Sequence, residues 1–197
     1  MAGIVDRGPW GVRHRNASSV SDSPAQSRAR ERAVATQSIA GARALAVLRI
    51  TLGFIFIWAF FDKLLGLGFS TPPEKSVLSG GSPTTAYISG LKGTLSEGFH
   101  TLANQPWVDW LYMVGVLGLG LALITGVALR VATVGGVALL LLMWLSVLPI
   151  RTNPFVDQHI IYALVLIALT LNHAGDTWGL GRWVSRTVGP RTGSWLR

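Results

Sequence analysis

Asp157 and His159 stand two residues apart in the run Asn153-Pro-Phe-Val-Asp157-Gln-His159-Ile-Ile-Tyr162, directly before an apolar stretch that reaches Leu171. A histidine beside a carboxylate is a common device for moving protons near neutral pH, which makes these two the catalytic candidates. Ionisable groups at the mouth of an apolar helix are expensive to keep there and point to function. Similar groups flank the other apolar stretches: Asp62-Lys63, Asp109 and Arg151. Arg49, fourteen residues before Lys63, shares its helix face within about 40°. Together Arg49, Asp62, Lys63, Asp109, Arg151 and Tyr162 form a candidate pocket around the catalytic pair. Its cations suit an anion or a quinone oxygen, and a histidine with carboxylates suits proton transfer. The same charges would also serve as a ring of ion pairs holding helix ends at a membrane surface.

Metal chemistry has little to work with. There is no cysteine, which excludes disulfides, thiol redox chemistry and thiolate metal sites within this chain. His159 and His173 lie on one helix face but about 21 Å apart along the axis, too far to share an ion. The other histidines, His14 and His100, fall in the N-terminal segment and in a loop. No metal and no haem is expected, and there is no phosphate loop or dinucleotide glycine pattern.

These residues need helices to carry them, and the sequence supplies apolar runs of the right length. Half the residues are hydrophobic, 13% are charged and the mean hydropathy is +0.45. That composition points to an all-α integral membrane protein. Four spans are expected, at Leu45–Leu65, Trp107–Thr125, Val131–Leu148 and Pro154–Asn172, forming a four-helix transmembrane bundle. Asn153 reads as the cap of the fourth helix and Pro154 as its first residue. Gly118, Ala122 and Gly126 make a small-xxx-small series, which predicts close helix packing there. Between the first two spans, Gly66–Pro106 is long for a loop and is expected to be a structured outer lid. Ser82-Pro83 opens one short helix with Tyr87, Ile88 and Leu91 on its apolar side, and Leu95–Ala103 holds a second.

The net charge of +8 sits mostly at the ends, with eight arginines between Arg7 and Arg49 and four between Arg182 and Arg197. The positive-inside rule then places both termini in the cytoplasm, in the plasma membrane of the cell. Residues 1–41 read as a disordered basic cytoplasmic tail, 42–183 as the membrane domain, and 184–197 as a second basic tail. Nucleic acid is not an expected partner, because the tails offer no folded aromatic platform.

Four segments carry a family resemblance: Leu48-Arg-Ile-Thr-Leu-Gly-Phe with Asp62-Lys63, Ser82-Pro-Thr-Thr, Asp109-Trp-Leu-Tyr-Met-Val-Gly, and Asn153-Pro-Phe-Val-Asp-Gln-His-Ile-Ile-Tyr-Ala-Leu-Val. In these, and from about Ala42 to Trp183, the chain resembles the DoxX/DoxD family. DoxD-type members are associated with the small membrane-embedded part of thiosulfate:quinone oxidoreductase. Other DoxX proteins are associated with membrane complexes that link superoxide dismutase to thiol metabolism. The resemblance implies a small membrane subunit of a quinone-linked or redox-stress oxidoreductase complex, with soluble or membrane redox partners, lipid contacts and a homo-oligomer within reach. The rival readings are a non-catalytic anchor for soluble redox enzymes and, behind it, a small-anion carrier.

Overall fold

Helix formers dominate the chain from Pro24 onward, and α1 runs over Pro24–Leu65. The computed structural model describes residues 24–92, 95–150 and 153–187. The expectations for residues 1–23 and 188–197, for Arg151 and for the turn around it lie outside the described residues. Contacts divide the chain into two units, Met1–Ser38 and Ile39–Arg197. Residues 24–38, expected as part of a disordered tail, are helical. Their sequence, Pro-Ala-Gln-Ser-Arg-Ala-Arg-Glu-Arg-Ala-Val-Ala-Thr-Gln-Ser, explains it: a proline suits a helix start, and Ala, Arg, Glu and Gln favour the interior.

The second unit is helical, with no strand among the described residues. After α1 come two short 3₁₀ turns at Pro73–Lys75 and Val77–Ser79, then α2 (Thr85–Ser89), α3 (Ser96–His100), α4 (Pro106–Thr125), α5 (Leu129–Ser146), α6 (Gln158–Leu171), a 3₁₀ turn at Ala174–Asp176 and α7 (Gly181–Thr187). Three segments are long and apolar enough to cross a membrane: Ser38–Leu65, Pro106–Thr125 and Leu129–Ser146. α6 is apolar but has 14 residues, about 21 Å of helix against a hydrocarbon core of about 30 Å.

The fourth helix therefore starts four residues later than the sequence suggested. Asn153 does not cap it. Its Oδ1 instead accepts the N–H groups of Phe155 and Val156, closing a local turn. Asp157 takes over as the cap, with its carboxylate accepting from the N–H groups of His159 and Ile160.

One core joins four helices. Leu52 and Phe56 of α1, Val116, Leu119 and Leu123 of α4, Leu129 and Leu140 of α5, and Ala163, Leu166 and Leu169 of α6 are all buried together. Each set recurs at helical spacing, so each helix presents one stripe inward. The opposite faces carry Phe54, Trp58, Leu111, Val114, Val134, Leu142 and Leu164, all exposed. Apolar side chains exposed along whole helices suit a lipid surround.

Within the expected small-residue series Gly126 is closely approached, by Arg49 and Gly175 at 3.0 Å, but Gly118 is not. A side chain added at Gly118 would meet nothing within 4 Å. At Gly120 it would meet Ile57 atoms of α1 at 2.8 to 3.0 Å, backbone nitrogen included, and at Gly53 it would meet Leu123 and Ile124 of α4. The α1–α4 contact thus uses Gly53 and Gly120, which lies nearly opposite Gly118 around the helix. Gly126 lies at the end of α4 with φ of 73°, a conformation that favours glycine, and closes that helix.

Candidate functional site

The two ends of the bundle do different things. At one end, here termed the loop end, three carboxylates each accept at least one backbone N–H. Asp62 is buried and accepts from the N–H groups of Phe69 and Ser70 and from the Ser70 hydroxyl. Asp109, in the first turn of α4, accepts from the hydroxyls of Ser82 and Thr84 and from the Thr84 N–H. Ser82 in turn accepts the Thr85 N–H at the entrance to α2. These two aspartates hold the start and the middle of the long loop against α1 and α4. Their lone pairs are engaged by the loop, which makes them positioning groups rather than open bases.

Asp157 and His159 form the third element. His159 is buried, and its Nδ1 lies 2.6 Å from Asp157 Oδ2. With Asp157 ionised, the Nδ1 proton donates to it, leaving Nε2 as the nitrogen that can take or give a proton. Burial alone would raise the Asp157 carboxyl. The hydrogen bonds from the His159 ring and from the Ile160 and His159 N–H groups outweigh that and hold it below the ordinary carboxylate value.

A depressed folded-state pKa means that the stabilisation exists above the ordinary value of 3.8 and is lost as pH falls through the lower, folded one. Asp157→Ala is accordingly expected to cost about 0.5–2 kcal/mol at neutral pH, the range for a lost helix cap. Unfolding curves of the two proteins should converge as pH drops below 3.8. A constant gap down to the acid limit would contradict the capping role.

Between α4 and α5 a half-open groove of about 740 Å³ starts beneath α2 and continues down both helices. Its walls are almost wholly apolar. Gly115, Gly118 and Ala122 of α4 and Ala132 and Gly135 of α5 leave room along its floor, while Leu111, Val114, Leu139 and Leu142 add bulk around them. Gly118 and Ala122, expected as part of a packing motif, thus line a cleft. The polar groups gather at the loop end: Lys63, Tyr87, Tyr112 and Ser146 all line it. The Tyr87 hydroxyl meets Ser146 Oγ at 2.8 Å, and Ser146 donates onward to the Met143 carbonyl. Burial pushes the Tyr87 hydroxyl up, the Ser146 bond works the other way, and the nearby Asp157 charge adds to the rise. The Lys63 ammonium sits 6.0 Å from the centre of the Tyr112 ring. Among the described residues no carboxylate lies within ion-pair distance of it.

The residues expected to converge are therefore dispersed. Lys63 lines the groove. Asp157 and His159 stand beside its head without lining it. Asp62 and Asp109 hold the loop. Tyr162 packs edge-on against Phe56 in the core, ring centres 6.5 Å apart. Arg49 is not in this pocket at all. It is buried at the opposite end of the bundle, where its guanidinium donates to the carbonyls of Leu123, Ile124, Thr177 and Trp178. Fourteen residues of helix separate it from Lys63 by about 21 Å, so a shared face does not bring the two together. Tyr87, Tyr112 and Ser146 escaped the sequence reading. Tyr87 looked like one more apolar contact of an amphipathic turn, and nothing in the pattern marks Ser146. Among the described residues no group of three His, Cys, Asp or Glu could hold a metal ion. No family model matches this chain, and no curated protein or solved structure matches it either.

Proposed function

We propose that this chain is a multi-pass membrane subunit of a quinone-linked redox system, with the α4–α5 groove as its quinone site. The observation that carries the reading is the groove itself: a long apolar cleft, closed at one end by two tyrosines and a lysine that has no carboxylate partner among the described residues. Its volume falls within the range of about 300–1,000 Å³ usual for small-molecule sites. An isoprenoid quinone has the matching form, a polar ring on an apolar tail. The donor chemistry also fits, since a lysine ammonium has three N–H groups and no acceptor, and a quinone ring presents carbonyl oxygens. The resemblance to the DoxX/DoxD family supports the same class of function.

When bound, a quinone supplies the two-electron, two-proton chemistry. The chain's own part is to hold and to move protons. Lys63 and Tyr112 orient the ring, and the small residues of α4 and α5 admit the tail. His159, fixed by Asp157, exchanges a proton between the head of the groove and the aqueous side. α2 excludes bulk water above it. In this reading α6 makes a fourth, shorter crossing, with Asp157 capping it at the outer surface. The arginine-rich end, with both termini, lies in the cytoplasm, and the long loop lies outside, in the plasma membrane. Soluble or membrane redox partners supply the electrons, and lipid covers the outward faces.

Quinone should remain with the full-length protein through purification in mild detergent, at close to one per chain on solvent extraction. Lys63→Met should lower the amount retained about tenfold, the effect of losing a charge-assisted hydrogen bond. Wild-type protein carrying only phospholipid, or a soluble redox protein but no quinone, would replace this reading by that of an anchor.

A further inference from the structure

We infer that the head of the α4–α5 groove selects the oxidised, carbonyl form of its ligand over the reduced, hydroxyl form; this rests on the quinone reading above. The inference comes from counting which hydrogen-bonding groups are still open. The Tyr87 and Ser146 protons are engaged, the first by Ser146 Oγ and the second by the Met143 carbonyl. The Thr84 hydroxyl donates to Asp109. Lys63 and Tyr112 line the groove, and among the described residues neither has a hydrogen-bond partner in the protein. What remains open is therefore dominated by donors: the three N–H groups of Lys63 and the Tyr112 O–H. Among the described residues lining the groove no carboxylate is present, and the side-chain acceptors left are hydroxyl oxygens.

A quinone ring brings acceptors alone, and each carbonyl that meets Lys63 or Tyr112 satisfies both sides. A quinol brings two O–H donors into the same place. Its oxygens are weaker acceptors for the ammonium, and its protons find few partners against apolar walls. A donor buried without a partner is penalised more than a lost bond would suggest. Lys63 sets the preference, because it cannot reverse its role; Tyr112 reinforces it, because its hydroxyl can turn to accept. Such a site takes up the oxidised carrier and releases the reduced one.

Isothermal titration of the full-length protein in detergent, without oxygen, compares decylubiquinone with decylubiquinol. The quinone should bind about tenfold more tightly. The ratio should fall to about twofold or less in Lys63→Met and to an intermediate value in Tyr112→Phe. Equal affinities in the wild type, or tighter binding of the quinol, would overturn the selectivity while leaving the groove as a quinone site. Saturable binding of neither form would overturn both.

Discussion

Arg49→Leu is expected to be the most damaging single substitution in the bundle, lowering stability by about 3–5 kcal/mol. The guanidinium is fully buried and ties three parts of the chain together: α1, which carries it, the last turn of α4 through Leu123 and Ile124, and the segment after α6 through Thr177 and Trp178. All four partners are carbonyls, and those of α4 belong to a helix end whose acceptors have no further helical donor. A cation is also favoured at the negative end of a helix. Leucine would keep much of the volume but abandon all four acceptors in a site shielded from water. Arg49→Lys should recover only part of the loss, since one ammonium cannot span the fork of a guanidinium. Unfolding in graded detergent denaturant would measure both. A leucine variant as stable as the wild type would show that the cluster contributes nothing to holding the C-terminal segment.

Gly120→Leu is expected to come next, while Gly118→Leu, two residues away on the same helix, should leave stability within about 0.5 kcal/mol. At Gly120 the added carbon would lie 2.8 Å from the Ile57 side chain and 3.0 Å from the Ile57 backbone nitrogen, so α1 and α4 must separate. Overpacking of this kind costs about 1–3 kcal/mol when side chains can yield, and backbone cannot yield in that way. Gly118 opens onto the groove, where there is space. Thermal denaturation of the two variants, side by side, separates the readings. Equal damage from both would restore Gly118 to a helix contact.

The sequence disclosed the helices better than it disclosed their faces. The starts of α4 and α5 fell within two residues of expectation because apolar length and Gly or Pro boundaries mark them directly. The start of α6 did not, because Asn153-Pro154 and Asp157 are both acceptable openings. The choice between them is made by local side-chain geometry: the Asp157 carboxylate takes the His159 ring together with the His159 and Ile160 N–H groups. Small residues at four-residue spacing were read as a packing motif, yet spacing alone cannot tell a contact from a cleft. Gly118 and Gly120 differ by about 200° around the helix, and only the neighbouring helix decides which is filled. Likewise Asp62, Asp109 and Asp157 look alike in sequence. Two of them prove to be held by loop N–H and hydroxyl groups, and one by a histidine, a distinction that depends on where the loop folds back.

The central claim is that the α4–α5 groove holds a quinone with its ring near Lys63. An azido-quinone, activated by light on the full-length protein in membranes and mapped by mass spectrometry, reports the position directly. Label is expected on groove residues of α4 and α5, concentrated near Tyr112 and Ser146. Excess decylubiquinone should suppress it, and so should Gly118→Leu, which fills the cleft without unfolding the helices. Label spread over the outward lipid faces, unaffected by competitor or by Gly118→Leu, would contradict the account.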